Sequence, residues 1–272
     1  MTFAAARRIA LPLAAFLLVP AAGRLTAQGS SARADAPRTG AEVLEAMHAA
    51  YAGKWYHTLT FVQKTTLRRQ DGTEVEQTWH ETLRHTPQTG VQLRIDIGDL
   101  GAGNGVVFTA DSTFRVRGGK AVEPVASGNE FLPLIEGVYV QPVERTVKEL
   151  AQMKVDLSRV STGTWEGKPV WIVGAASPAD TTSPQFWVDT DRKLLVRMMI
   201  VPGESQPPFD VHLGNYVRAG NGWLATKIEM FQGGVRRQAE EYSDWRVDVP
   251  VSAALFDLSK WTTAPHWAKP SK

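Results

Sequence analysis

Between Thr39 and Gly53 apolar residues recur every three to four positions, with Val43, Met47, Ala50 and Tyr51 on one helical side and Leu44 beside them. This pattern predicts an amphipathic helix of about three turns whose apolar stripe must pack on something. Thr39 followed by Glu42 fits a capping box, in which each side chain accepts from a free backbone N–H at the helix start. After Gly53 the period shortens to two. Leu59, Phe61 and Leu67 alternate with Thr58, Thr60, Lys64 and Arg68, and Asp71-Gly72 marks a hairpin turn. Val75, Trp79 and Leu83 face one way on the returning strand, with Glu74, Glu76, His80 and Arg84 facing the other. Val91–Ile97, Val106–Phe108 and Phe114–Val116 continue the alternation up to the turn at Gly118-Gly119. The expectation is a meander of short strands with one wet face and one dry face.

Residues 129–153 break the pattern. Phe131, Leu132, Leu134, Ile135, Val138, Tyr139 and Val140 form an apolar segment around Pro133 and Gly137. Pro142 suits the first turn of a helix in which Val143, Val147 and Leu150 share a face. Strands are then expected at Val155–Val160, Val170–Gly174, Phe186–Asp189, Leu194–Val201, Val211–Val217, Trp223–Phe231 and Val235–Val247, followed by a short helical piece at Pro250–Leu258. No composition break divides the two meanders, so residues 39–258 read as a single domain of mainly β (α+β) class, with residues 259–272 as a C-terminal tail.

The N-terminus changes the compartment. Arg7 and Arg8 precede an apolar run from Ile9 to Ala22, and Ala27 is a suitable last residue before cleavage, the order of a secretory signal peptide over residues 1–27. That run is shorter than the roughly 20 residues a spanning helix needs. Residues 28–38, rich in Gly, Ser, Ala and Pro, read as a flexible leader. The expected location is the periplasm, with nothing spanning the membrane after cleavage. Three arginines and no acid fall in residues 1–27, so the formal +2 becomes 27 basic against 28 acidic residues. A nearly neutral, mixed surface gives no reason to expect nucleic acid as a partner. The chain has no cysteine, so it has neither disulfides nor a thiol nucleophile, and its core must supply the stability.

Candidate chemistry is sparse. His80 and His85 are five residues apart, which puts them on opposite faces of a strand, so no metal site is expected there. Asp189-Thr190-Asp191 lacks the later Gly and Glu of a calcium loop and reads as a hairpin turn. The glycines at 98, 101, 103 and 105 have no Lys-Ser/Thr after them and read as an inter-strand loop. No serine sits in a nucleophile elbow. Glu74, Glu76, Glu240 and Glu241 read as solvated sheet faces. No catalytic residue and no cofactor are expected. What remains is apolar: Phe61, Trp79, Leu83, Leu93 and Phe108 either fill a core or line a cavity lidded by residues 131–140, which bring Phe131, Leu134 and Tyr139.

The order of elements, with Trp165-Glu166-Gly167-Lys168-Pro169-Val170-Trp171-Ile172-Val173, Phe186-Trp187-Val188-Asp189 and Leu194-Leu195-Val196-Arg197, resembles the LolA-like outer-membrane lipoprotein-sorting proteins. Val43–Tyr51 followed by Leu59-Thr60-Phe61 is similar to the family's opening helix and first strand. The resemblance implies a strongly curved, unclosed antiparallel sheet, a half-barrel, with helices plugging its concave face. It also implies a hydrophobic cavity for the acyl chains of a lipid or lipoprotein, membrane-bound loading and receiving proteins, and no covalent chemistry. The chain departs from the best-known carriers in a longer second half and in the ending Val249–Lys272. The alternatives weighed against a carrier are an envelope-stress sensor of the same fold acting through a protein partner, an exported hydrolase with a dispersed site, and an outer-membrane barrel. Strands as short as Val106–Phe108 do not suit the last.

Overall fold

The computed structural model describes residues 36–203 and 206–269; the expected signal peptide and residues 28–35 of the leader lie outside them. Helix α1 (Gly40–Tyr51) starts at the expected capping box, with Thr39 Oγ1 accepting from Glu42 N at 3.2 Å and Glu42 Oε2 accepting from Thr39 N at 3.3 Å. Its stripe of Val43, Leu44, Met47 and Tyr51 is buried.

A first meander follows: β1 (Thr58–Arg68), β2 (Glu74–Thr86), β3 (Gly90–Ile97), β4 (Gly105–Phe108), β5 (Thr113–Arg117) and the short β6 (Lys120–Ala121). The second comprises β7 (Val160–Trp165), β8 (Lys168–Val173), β9 (Gln185–Asp189), β10 (Leu195–Ile200), β11 (Phe209–Ala219), β12 (Gly222–Gln232) and β13 (Val235–Val247). Together they make one sheet in the order 6-5-4-3-2-1-13-12-11-10-9-8-7. The two meanders are joined at β1 and β13, antiparallel, with Leu59 opposite Val247 and Thr65 opposite Glu240. The far edges, β6 and β7, do not pair, so the sheet stays open. Its register shifts at Thr60/Val62, Met230/Phe231 and Leu195/Arg197. Irregularities of this kind increase local twist and let a long sheet curl.

The connection from β6 to β7 crosses between those edges, and it is helical: a π-helical turn (Pro133–Gly137) runs into α2 (Val138–Val140) and then α3 (Val143–Gln152). These pieces pack on α1 and on the inner face of the sheet. The main core lies in between, from Leu44, Met47, Leu134, Val138 and Leu150 on the helical side to Leu59, Val188, Leu195 and Val211 on the sheet. This is the half-barrel with helices on its concave face.

Three expectations need correction. The strand expected at Val155–Val160 forms five residues later, because Glu166 and Gly167 both take positive φ (48° and 77°) and close the turn there. The sheet is not wet on its whole outer face. Residues after β13 fold back as a strap over β2–β5, where Trp261 packs with Val107 and Val116. Beneath the strap Arg94, 2% exposed, donates to both Asp96 oxygens at 2.6–2.7 Å, to Leu255 O and to Trp261 O. Gly105 has no room for a Cβ, since Trp261 and the Ile95 carbonyl occupy that space. The residues expected as a tail therefore continue onto the sheet, with His266 Nε2 3.1 Å from Asp96 Oδ2 and Trp267 Nε1 donating to Thr82 Oγ1 at 2.8 Å.

Candidate functional site

The inner face of β1 presents Leu59, Phe61, Gln63 and Thr65 in alternation, and cross-strand pairing sets their neighbours. Phe61 lies opposite Glu81 on β2; Gln63 lies between Trp79 on β2 and Tyr242 on β13; Thr65 lies between Gln77 and Glu240. Together with Leu83, Leu93, Leu224, Ile228 and the helical segment, these rows enclose a cavity of about 280 Å³. Ligand sites typically run from about 300 Å³ upward, and a dry apolar cavity of about 150 Å³ already takes benzene, so the space suits one slender apolar group.

Seven of the residues singled out from the sequence come together on this lining: Phe61, Trp79, Leu83, Leu93, Phe108, Phe131 and Tyr139. Leu134 does not join them; it is fully buried in the core beside the cavity. Phe108, Asn129 and Phe131 line both this cavity and a wider groove of about 830 Å³ along β4 and β5, which carries Arg115 and Arg117.

The helical segment over the cavity is fixed at one end. Glu136 accepts from Trp55 Nε1 at 2.8 Å and from Tyr56 Oη at 2.7 Å. Tyr139 stacks on Trp55 with ring centroids 4.0 Å apart and donates to Lys193 O at 3.1 Å. His48 Nδ1 lies 2.9 Å from Val138 O. At the groove end, Val125 pairs with Thr113 on β5, Thr113 Oγ1 donates to Ser127 O at 2.6 Å, and Phe131 N donates locally to Asn129 Oδ1.

Three carboxyl groups also face the cavity: Glu81, Glu136 and Glu240, 4%, 5% and 6% exposed. Burial pushes Glu136 up to about 7 despite its two donors. Burial also raises Glu240, against hydrogen bonds from Tyr242 and Gln238. Glu81 is pushed well above the usual carboxylate range by burial and by the nearby Glu240. Glu240 was expected on a solvated face; it points inward. The signal was strand parity, since Glu81 is in phase with Trp79 and Leu83, and Glu240 with Tyr242. Glu136 had no comparable signal.

The other candidates resolve as structure. Asp189 accepts from the backbone N–H groups of Asp191 and Arg192 at 2.9 and 2.8 Å, closing the turn between β9 and β10. His80 sits near His266 under the strap and His85 beside His57. Among the described residues no group of three or more His, Asp or Glu side chains converges to hold a metal.

No protein-family model matches this chain, and no curated protein is similar to it in sequence at a significant level. Solved structures are similar in fold. A DUF1329 family protein from Desulfovibrio piger superposes with a TM-score of 0.56 at 12% identity, covering 80% of this chain and 95% of that one. A domain from Vibrio parahaemolyticus, named for outer membrane lipoprotein sorting, gives 0.56 at 10% identity, covering 82% and 98%. At such identities the likeness shows the fold alone, the open, curved antiparallel sheet with helices on its concave face that the resemblance in sequence implied.

Proposed function

We propose that this protein is an exported, non-catalytic carrier that holds acyl chains of a lipid or lipoprotein in the cavity, as part of outer-membrane lipoprotein sorting in the periplasm. The observation that supports this reading is a largely apolar cavity beside a broad groove, with Phe108, Asn129 and Phe131 lining both. A chain can enter the cavity while the polar remainder of the cargo lies in the groove. Membrane-bound loading and receiving proteins are the partners this role requires. Among the described residues no helix is long and apolar enough to cross a membrane.

Each buried methylene contributes about 0.8 kcal/mol, so a ten-carbon chain contributes roughly 7 kcal/mol. Lost translational and rotational freedom takes back at least about 4 kcal/mol of that. The tail alone therefore binds weakly enough to be handed on.

The test is native mass spectrometry on protein purified without detergent, with displacement of phenylnaphthylamine as a companion titration. Bound lipid and saturable displacement are expected, with Phe108→Asp weakening probe binding by on the order of tenfold, about 1.4 kcal/mol. Protein that carries no lipid and ignores the probe would reject the carrier reading and favour the sensor.

A further inference from the structure

The cavity is apolar, yet its polar groups are unbalanced. Glu81, Glu136 and Glu240 line it, whereas no Lys, Arg or His does among the described residues. Two of the three acids are satisfied within the chain: Glu136 by Trp55 and Tyr56, Glu240 by Gln238 and Tyr242. Glu81 is not. It is 4% exposed and faces the cavity from the middle of β2 between Trp79 and Leu83, and no hydrogen bond from any described residue reaches its carboxyl group. Its oxygens keep contact with the cavity space, so their partner there must come from whatever fills the cavity, whereas a leucine in its place would ask for none. The remaining acceptor capacity in this wall points at the space where a ligand sits.

Resting on the carrier reading above, we propose that the cavity selects amphiphiles whose apolar chain bears a hydrogen-bond donor, a hydroxyl or a protonated amine, with Glu81 as the acceptor. A ligand whose buried end is a carboxylate or phosphate is disfavoured, because its charge would leave water for a low-dielectric space lined by no cation.

Three compounds with the same tail separate the possibilities: decylamine, decanol and decanoate, each titrated against phenylnaphthylamine bound to the purified protein. The expected result is displacement by decylamine, decanol or both at concentrations at least tenfold lower than by decanoate; which of the two leads identifies the donor. Glu81→Leu should bring the three within about twofold of one another while keeping probe binding, and should raise the melting temperature. Glu81→Gln, which offers amide donors, should narrow the gap as well. Equal displacement by all three in the wild-type protein would overturn the proposal, leaving Glu81 merely hydrated. Tighter binding of decanoate, which would place its carboxylate toward Arg115 and Arg117, would also overturn it. So would a ranking unchanged in Glu81→Leu. Saturable probe binding without any ranking would sink this inference alone, whereas no probe binding at all would sink the carrier reading with it.

Discussion

Glu136 shows how much one side chain can hold. It joins the segment over the cavity to Trp55 and Tyr56 immediately after α1, and burial keeps its proton on up to about pH 7. Between its ordinary value of 4.5 and about 7, the folded protein holds a proton that the unfolded chain has released. Stability is therefore fully present below 4.5 and falls as pH rises through that window, by about 3 kcal/mol for this residue. Glu81 and Glu240, also raised, act in the same direction. Denaturant unfolding at pH 5 and pH 8 should show the protein more stable at pH 5, and Glu136→Gln should remove much of the difference. Arg94 makes the opposite case, a charge satisfied on every side. Asp96→Ala should cost about 3–5 kcal/mol, because it leaves the guanidinium buried beside two carbonyls and no counter-charge. A drop in the denaturation midpoint without a change in slope would verify this.

At the scale of elements, the segment over the cavity divides in two. Its helical part, from Pro133 to Val140, is tied to α1, to the residues just after it and to the β9–β10 turn through Glu136, Tyr139 and Val138. The stretch leading to it is held to Thr113 of β5 at Val125 and Ser127, whereas residues 128–132 border the groove with the local Phe131–Asn129 bond. Entry and release are expected to open the second part while the first holds. Hydrogen exchange should therefore find amides of 128–132 exchanging faster than those of 134–140, and the reverse order would count against this hinge position. The strap after β13 is the second element with a distinct duty. It covers strands that would otherwise expose Val107, Val116 and the Arg94–Asp96 pair. A chain ending at Val249 should melt on the order of 10 °C lower, as a loss of several kcal/mol implies for a domain of this size, and should aggregate more readily. A calorimetric scan decides it.

At the scale of the whole molecule, most of the architecture was written locally. The capping box at Thr39 and Glu42, the Asp71-Gly72 hairpin and the apolar sides of β1 and β2 depend on neighbours only a few residues away, and each formed as expected, whereas β3 is buried on both faces and Glu240 of β13 turns inward. Five of the seven lining residues were legible for the same reason, since parity puts Phe61, Trp79, Leu83, Leu93 and Phe108 on the apolar side of their own strands, while Phe131 and Tyr139 were legible only as part of an apolar segment. Pairing of β1 with β13 joins residues nearly two hundred positions apart, and no local pattern encodes it. The same holds for the strap, which turns outward-facing Arg94, Asp96 and Thr82 into buried residues by covering them from the far end of the chain. Whether an inward apolar residue packs or lines a space is decided by what the opposite layer leaves unfilled, which is why Leu134 is core and Phe131 is wall. The sequence by itself determined which side of each strand is apolar, because alternation is a property of the backbone. Only the tertiary structure decided which of those sides meet, and that three carboxyl groups share the space between them.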